Sequence, residues 1–119
     1  MPTYQDNDQL SRVFAALVRR LNTKPDQAEQ IAGLGSVLRF YVTEPEATVT
    51  LNWTKRPLKG EMGPSKLAPT AEVWTSADAL HNLFAGQLSV GDFLAQSRVE
   101  GDTGRWLDFG AWPMVVDAY

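Results

Sequence analysis

The sequence contains no cysteine and a single histidine, His81. The absence of cysteine excludes disulfides, thiolate nucleophiles and cysteine-ligated metal sites, and it favours a cytoplasmic protein. With one histidine and no cysteine, few conventional nucleophile–base pairs are available for catalysis. A metal site at His81 would depend on carboxylates alone, so we interpret this residue as a surface or edge histidine. We therefore expect a protein that is not an enzyme and holds no cofactor or metal.

An excess of positive charge and long apolar runs are also missing. The formal net charge is −3, and a mildly acidic domain is a poor candidate for nucleic-acid binding, whose affinity comes from clustered Lys and Arg. No stretch approaches the roughly 18 consecutive apolar residues of a membrane-spanning helix. The first residues lack the basic region and apolar run of a secretory signal. These absences favour a cytoplasmic location and no nucleic-acid partner.

The composition is that of a single globular domain spanning residues 1–119. Apolar residues make up 44% and charged residues 21%, values that exclude intrinsic disorder. Apolar side chains recur with a helical period from about Asp6 or Asp8 to Leu21, which predicts a first helix. Pro25 fits the first position of a second, shorter helix that the following glycines end.

The period of apolar residues then changes from helical to alternating. Val37–Thr43 and Ala47–Thr54 alternate apolar and polar side chains on either side of a turn that contains Pro45, which predicts an antiparallel hairpin. A short edge strand is expected around Leu58–Met62, and Thr70–Thr75 alternates again.

The remaining predicted elements follow turn and cap signals. They are a helix capped by Ser76 and ending near Ala85, a helix over Val90–Ala95 capped by Ser89, a strand over Ser97–Gly101, and a helix over Gly104–Ala111 that Pro113 ends. One face of the strands is apolar and the other is largely polar, so helices should cover only one side of the sheet. The expected fold is an α/β (α+β) two-layer sandwich.

Two clusters of residues leave alternatives open. Large apolar side chains, including Trp106, Phe109 and Trp112, crowd the end of the chain. Either they finish the core, or they cover another apolar feature such as a lipid-holding cavity. The second cluster is basic and comprises Lys55, Arg56, Lys59 and Lys66. It is either a solvated loop or a contact point for anionic headgroups during transient membrane contact.

Three segments together resemble the lipid-transfer domain of the type-two sterol carrier protein family. They are the run Ala71–Leu80, the run Leu83-Phe-Ala-Gly-Gln-Leu88, and the run Val99-Glu-Gly-Asp102. The resemblance covers roughly Leu10 to Ala111. It implies a five-stranded, mostly antiparallel sheet with helices on one face and an apolar tunnel between the layers. It also implies non-catalytic binding and carriage of fatty acids, acyl chains, sterols or other lipids.

The predicted lipid site lies where the apolar strand face meets the apolar stripes of the helices. We expect its lining to comprise Phe40, Leu51, Trp53, Val73, Leu80, Phe84, Phe93, Leu94, Trp106 and Phe109. Trp106 and Phe109 are expected on one face of a short helix that acts as a lid. The partner would be a lipid or another hydrophobic small molecule.

An alternative function needs no cavity. The chain would then be a protein-interaction or dimerisation module with a filled core. Tyr41 and Trp74, which should face the outer side of the sheet, would mark a partner or homodimer surface. A small enzyme is a third interpretation.

Overall fold

The computed structural model describes residues 7–33, 35–43, 46–55, 57–63, 66–107, 110 and 112–119. Its helices are α1 (Asn7–Asn22), α2 (Pro25–Ala32), α3 (Ala77–Phe84), α4 (Val90–Gln96), α5 (Gly104–Leu107) and α6 (Trp112–Ala118). Its strands are β1 (Ser36–Thr43), β2 (Ala47–Trp53), β3 (Lys59–Met62), β4 (Ala71–Ser76) and β5 (Arg98–Gly101). Within these ranges no helix combines the length and the apolar character needed to cross a membrane.

The strands form one five-stranded sheet in the order β3-β2-β1-β4-β5. β1 pairs with β2 antiparallel and with β4 parallel, while the β2–β3 and β4–β5 pairs are antiparallel. Phe40 at the centre of β1 lies opposite Val49 of β2 and Val73 of β4. The expected hairpin and the mostly antiparallel five-stranded sheet are therefore confirmed.

The helices cover one face of this sheet. The ring of Phe40 lies 6.2 Å from that of Phe84 in α3, 6.4 Å from that of Phe93 in α4 and 5.7 Å from that of Trp106 in α5. Tyr41 and Trp74, on the opposite face, stay partly exposed. The apolar stripe of α1 is buried as its helical spacing predicts: Leu10, Phe14, Leu17, Val18 and Leu21. The two-layer α+β architecture is confirmed.

Local signals set the ends of the helices after β4. The Ser76 hydroxyl accepts a hydrogen bond from the Ala79 N–H, and the Ser89 hydroxyl accepts one from the Asp92 N–H, each at 3.1 Å. Gly86 has a φ of 78° and supplies the left-handed turn after α3. Both predicted caps are therefore present, and α3 ends at Phe84, next to the predicted end near Ala85.

The end of the chain differs from the prediction. Pro113 does not end a helix, because it lies in the first turn of α6. A proline fits there, since the first N–H groups of a helix have no intrahelical acceptor. Of the helix predicted over Gly104–Ala111, the structure describes helix over Gly104–Leu107, and residues 108, 109 and 111 lie outside the described ranges.

Backbone contacts explain why glycine and aspartate, at positions 101 and 102, stand at the end of β5. Gly101 has a φ of 96°, and a Cβ there would clash with the carbonyl oxygen of Thr70 and lie 2.9 Å from Cα of Ala71. The Asp102 N–H donates to that same carbonyl at 2.9 Å. One carboxylate oxygen of Asp102 accepts from the N–H of Gly104 at 3.0 Å, where α5 begins. The pair thus joins β5 closely to β4 and starts α5.

Candidate functional site

The predicted site residues come together in the layer between sheet and helices. Those that form part of one buried apolar cluster are Phe40, Leu51, Trp53, Val73, Leu80, Phe84, Phe93 and Trp106. Leu94 is partly buried and packs against this cluster. Phe109 lies outside the described residues. The residues are therefore neighbours, and their role in lining a ligand site stays a prediction.

Trp112 connects several members of this cluster. Its ring lies 5.3 Å from that of Phe84, 5.6 Å from that of Trp106 and 6.4 Å from that of Trp53. The site predicted from the sequence does not include Trp112. The signal was available: Trp112 and Val115 are spaced as one face of a helix that Pro113 can start.

Two polar atoms in the cluster are unsatisfied. Trp53 and Trp106 are 0% and 1% exposed, and neither indole N–H has a hydrogen-bond partner among the described residues. A buried donor without an acceptor destabilises a folded protein by about 1–3 kcal/mol. Native proteins satisfy most such groups.

The predicted lining is packed closely in the described structure. Four cavities of about 430–640 Å³ with described walls have none of the predicted residues on those walls. A ligand between the layers would therefore have to move side chains or helices apart in this part of the chain.

One of these cavities, a groove of about 550 Å³, lies directly above the cluster between α1 and β3. Ala15 and Val18 supply apolar wall, and Arg19 and Lys59 place two cations at it. Gly60 permits this close packing, because a Cβ there would lie 3.0 Å from Val18 Cγ2 and 3.4 Å from Leu51 Cδ2. Leu51, a predicted site residue, therefore lies immediately beneath the groove.

The basic cluster is exposed where the structure describes it. Lys55, Lys59 and Lys66 are exposed, with Lys59 in the edge strand β3, whereas Arg56 lies outside the described residues. Nothing in this arrangement tests the predicted contact with anionic headgroups, which stays a prediction.

His81 takes part in fixing the end of the chain. Its Nδ1 lies 2.8 Å from the hydroxyl of Tyr119, whose ring packs 5.6 Å from that of Phe84. The guanidinium of Arg20 donates to the carbonyl oxygens of Ala118 and Tyr119 at 3.0 and 3.3 Å. In the described ranges no group of three or more His, Asp or Glu side chains is arranged to hold a metal ion.

The outer face of the sheet carries an ordered aromatic pair. The rings of Tyr41 and Trp74 stack at 4.9 Å, and the guanidinium of Arg98 lies 4.7 Å from the centre of the Trp74 ring. The Tyr41 hydroxyl donates to a Glu72 carboxylate oxygen at 2.6 Å. This hydrogen bond, with burial as a second cause, raises the pKa of Tyr41 above its usual value.

Comparison with known proteins finds a matching sequence family and solved structures with a similar fold. The sequence model of the SCP-2 sterol transfer family matches residues 14–111. No curated protein sequence matches the chain significantly.

Three solved structures resemble the chain over most of their length and of its own. Sterol Carrier Protein 2 from Yarrowia lipolytica, in its apo form, is 15% identical with a TM-score of 0.62, and the match covers 86% of this chain and 85% of that one. The sterol carrier protein domain 2 of Helicoverpa armigera is 16% identical with a TM-score of 0.62, covering 91% and 85%. The ubiquinone synthesis protein UbiJ-SCP2 is 19% identical with a TM-score of 0.62, covering 89% and 93%. At these identities the likeness concerns the fold alone.

Proposed function

The chain belongs to the SCP-2 sterol transfer family, and we propose that it binds a hydrophobic ligand between its sheet and helices and carries it without catalysis. The ligand would be a fatty acid, an acyl chain, a sterol or another lipid. Each methylene withdrawn from water contributes about 0.8 kcal/mol. Apolar walls therefore suffice for binding, and the proposed function requires no catalytic group.

The family match over residues 14–111 carries this proposal, because that range contains every predicted lining residue. The described ones share or adjoin one apolar cluster to which both the sheet and the helices contribute. In the proposed complex the ligand takes the place of some of the contacts that this cluster makes with itself. The ten proposed lining residues are Phe40, Leu51, Trp53, Val73, Leu80, Phe84, Phe93, Leu94, Trp106 and Phe109.

The groove between α1 and β3 is the proposed route of access. Its floor lies above Leu51, and β3 is an edge strand with no neighbour on its far side in the described sheet. A small displacement of α1 from Gly60 would open a path to the cluster without breaking the central strands. The groove wall carries two cations, Arg19 and Lys59, and one carboxylate, Glu61. The net positive charge suits an acidic headgroup such as a fatty-acid carboxylate.

Native mass spectrometry of the purified protein tests the proposal directly, because retained lipid adds a measurable mass. Binding of a fluorescent fatty acid to the delipidated protein tests it quantitatively, with a sterol and a ubiquinone as competitors. Leu51→Trp and Val73→Trp should each reduce fatty-acid binding, because the larger side chain occupies the layer that the ligand would have to open. Thr48→Trp, on the partly exposed opposite face of β2, is the matched control and should leave binding unchanged.

Two results would contradict the proposal. The first is a parent protein that retains no lipid and binds none of the three ligands. The second is unchanged binding in both Leu51→Trp and Val73→Trp, provided that thermal melts show them folded.

Close packing of the described core favours a second candidate function, an interaction or dimerisation module. Its contact surface would be the outer face of the sheet around Tyr41 and Trp74, which adjoins a shallow cavity of about 520 Å³. Native mass spectrometry separates the two proposals. A dimer free of lipid would favour the module, and Trp74→Ala should then yield a monomer.

A further inference from the structure

The two unsatisfied indole N–H groups are exceptional among the buried polar groups that the structure describes. Thr50 is as deeply buried, yet its hydroxyl accepts a hydrogen bond from Arg39 at 3.1 Å. The indole nitrogens of Trp53 and Trp106 have no such partner. Among the described residues, these two are the buried side-chain nitrogen or oxygen atoms without a hydrogen bond.

The two indole N–H donors come from opposite layers, the sheet and the helices, but both lie close to Trp112. Trp53 ends β2 in the sheet, and Trp106 lies in α5. Both rings contact that of Trp112, at 6.4 and 5.6 Å. Trp106 also packs against Phe40 and Phe93, whose side chains offer no acceptor oxygen. The two N–H groups therefore lie in the layer where the proposed ligand would bind.

Apolar packing alone does not account for two tryptophans here. Phenylalanine would supply a buried ring without a donor, whereas a buried tryptophan N–H usually finds a partner. If the ligand supplies the acceptor, these donors have a partner when the ligand is bound and none when it is absent.

We propose that the ligand carries a hydrogen-bond-accepting oxygen within the apolar site and that the indole N–H groups of Trp53 and Trp106 donate to the ligand's oxygen atoms. The ligand class is thus narrowed to oxygen-bearing lipids, with a carbonyl, hydroxyl or ether group inside the site, as opposed to plain hydrocarbon. This inference rests on the proposed function, since it requires a ligand between the layers.

The test compares hexadecane with 2-hexadecanone, two ligands of equal chain length that differ by one carbonyl group. Each is delivered from cyclodextrin and displaces a pyrene-labelled fatty acid from the delipidated protein. At least one of the variants Trp53→Phe and Trp106→Phe should weaken the binding of 2-hexadecanone relative to that of hexadecane by about fivefold, which corresponds to the roughly 1 kcal/mol of one hydrogen bond. Trp74→Phe, on the outer face, should leave that ratio unchanged. A ratio unchanged in both indole variants would overturn the inference.

A measurement on the parent protein removes any dependence on the stability of these variants. The chain has four tryptophans, so its ¹H–¹⁵N spectrum contains four indole signals. Those of Trp74 and Trp112 are assigned from their own Phe variants, which leaves two for Trp53 and Trp106. At least one of these two signals should move downfield with 2-hexadecanone and not with hexadecane. The inference would be overturned if both signals stay in place, or if both already lie at hydrogen-bonded positions without ligand.

The two proposals fail in different ways. If the parent protein binds neither the labelled acid nor either competitor, the proposed function itself fails. If it binds them and the indole groups do not respond to the carbonyl, lipid binding stands and the assignment of the donors is wrong.

Discussion

Trp106 belongs either to the core or to a lid that opens for the ligand. The variant Trp106→Ala distinguishes these two roles. The sequence suggested that a short, weakly nucleated helix could open as a gate. In the structure Trp106 is 1% exposed, and its ring contacts those of Phe40, Phe93 and Trp112 at 5.6–6.0 Å. A residue with aromatic contacts on several sides should behave as core when it is truncated.

The expected loss of stability follows from these contacts. Truncating a buried tryptophan to alanine destabilises a protein by about 3–5 kcal/mol. We expect the lower end, about 3 kcal/mol, because Trp106→Ala also removes an unsatisfied donor. At roughly 4 °C per kcal/mol for a domain of this size, the melting temperature should fall by about 12 °C.

The assay is a thermal melt followed by circular dichroism, together with the rate of lipid release to acceptor vesicles. Trp74→Ala is the matched control, because its ring is partly exposed on the outer face and should cost about 1 kcal/mol. If Trp106→Ala melts within about 4 °C of the parent and releases lipid faster, Trp106 belongs to a lid and the argument from its ring contacts is refuted.

Three further predictions concern the sheet and its surroundings. Gly63→Ala should cost about 1–2 kcal/mol for its positive φ alone, and Gly101→Ala should cost clearly more, since its Cβ would also meet backbone atoms; equal losses would contradict the close approach. In ultraviolet titration Glu72→Gln should lower the pKa of Tyr41, because the hydrogen bond to Glu72 is the main cause that raises it; an unchanged titration would contradict this cause. In the parent the raised pKa stabilises the fold below about pH 10, and this contribution is lost as the pH rises through the folded-state pKa of Tyr41. Anionic vesicles should sediment the protein at low salt and not at high salt, and neutral vesicles should not; equal binding to both would exclude membrane contact through Lys55, Lys59 and Lys66.

The strands were predictable because alternation is a local property. In Val37–Thr43 every second side chain is apolar, so the same residues that predict the strand also predict which face is buried. The caps at Ser76 and Ser89 were predictable for a similar reason, since a hydroxyl before a helix satisfies the first free N–H groups.

The missed features depend on contacts that are distant in the sequence. Pro113 can end one helix or start another, and only the packing of Trp112 against Phe84 and Trp106 favours the second outcome. Whether an indole N–H has an acceptor depends on residues brought together by the whole fold, so no sequence pattern identifies Trp53 as unsatisfied. The groove at Gly60 likewise arises from α1 and β3, which are not adjacent along the chain.

The parallel pairing of β1 with β4 has a consequence for the order in which the chain folds. β1, β2 and β3 pair with their neighbours along the chain, and such hairpins form within microseconds. Pairing Leu38 with Ala71 instead closes a loop that contains both β2 and β3, and the entropy of that closure is lost before native contacts form. We therefore expect a three-stranded meander to form first and the docking of β4 to limit the folding rate, with Phe40 and Val73 meeting in the transition state.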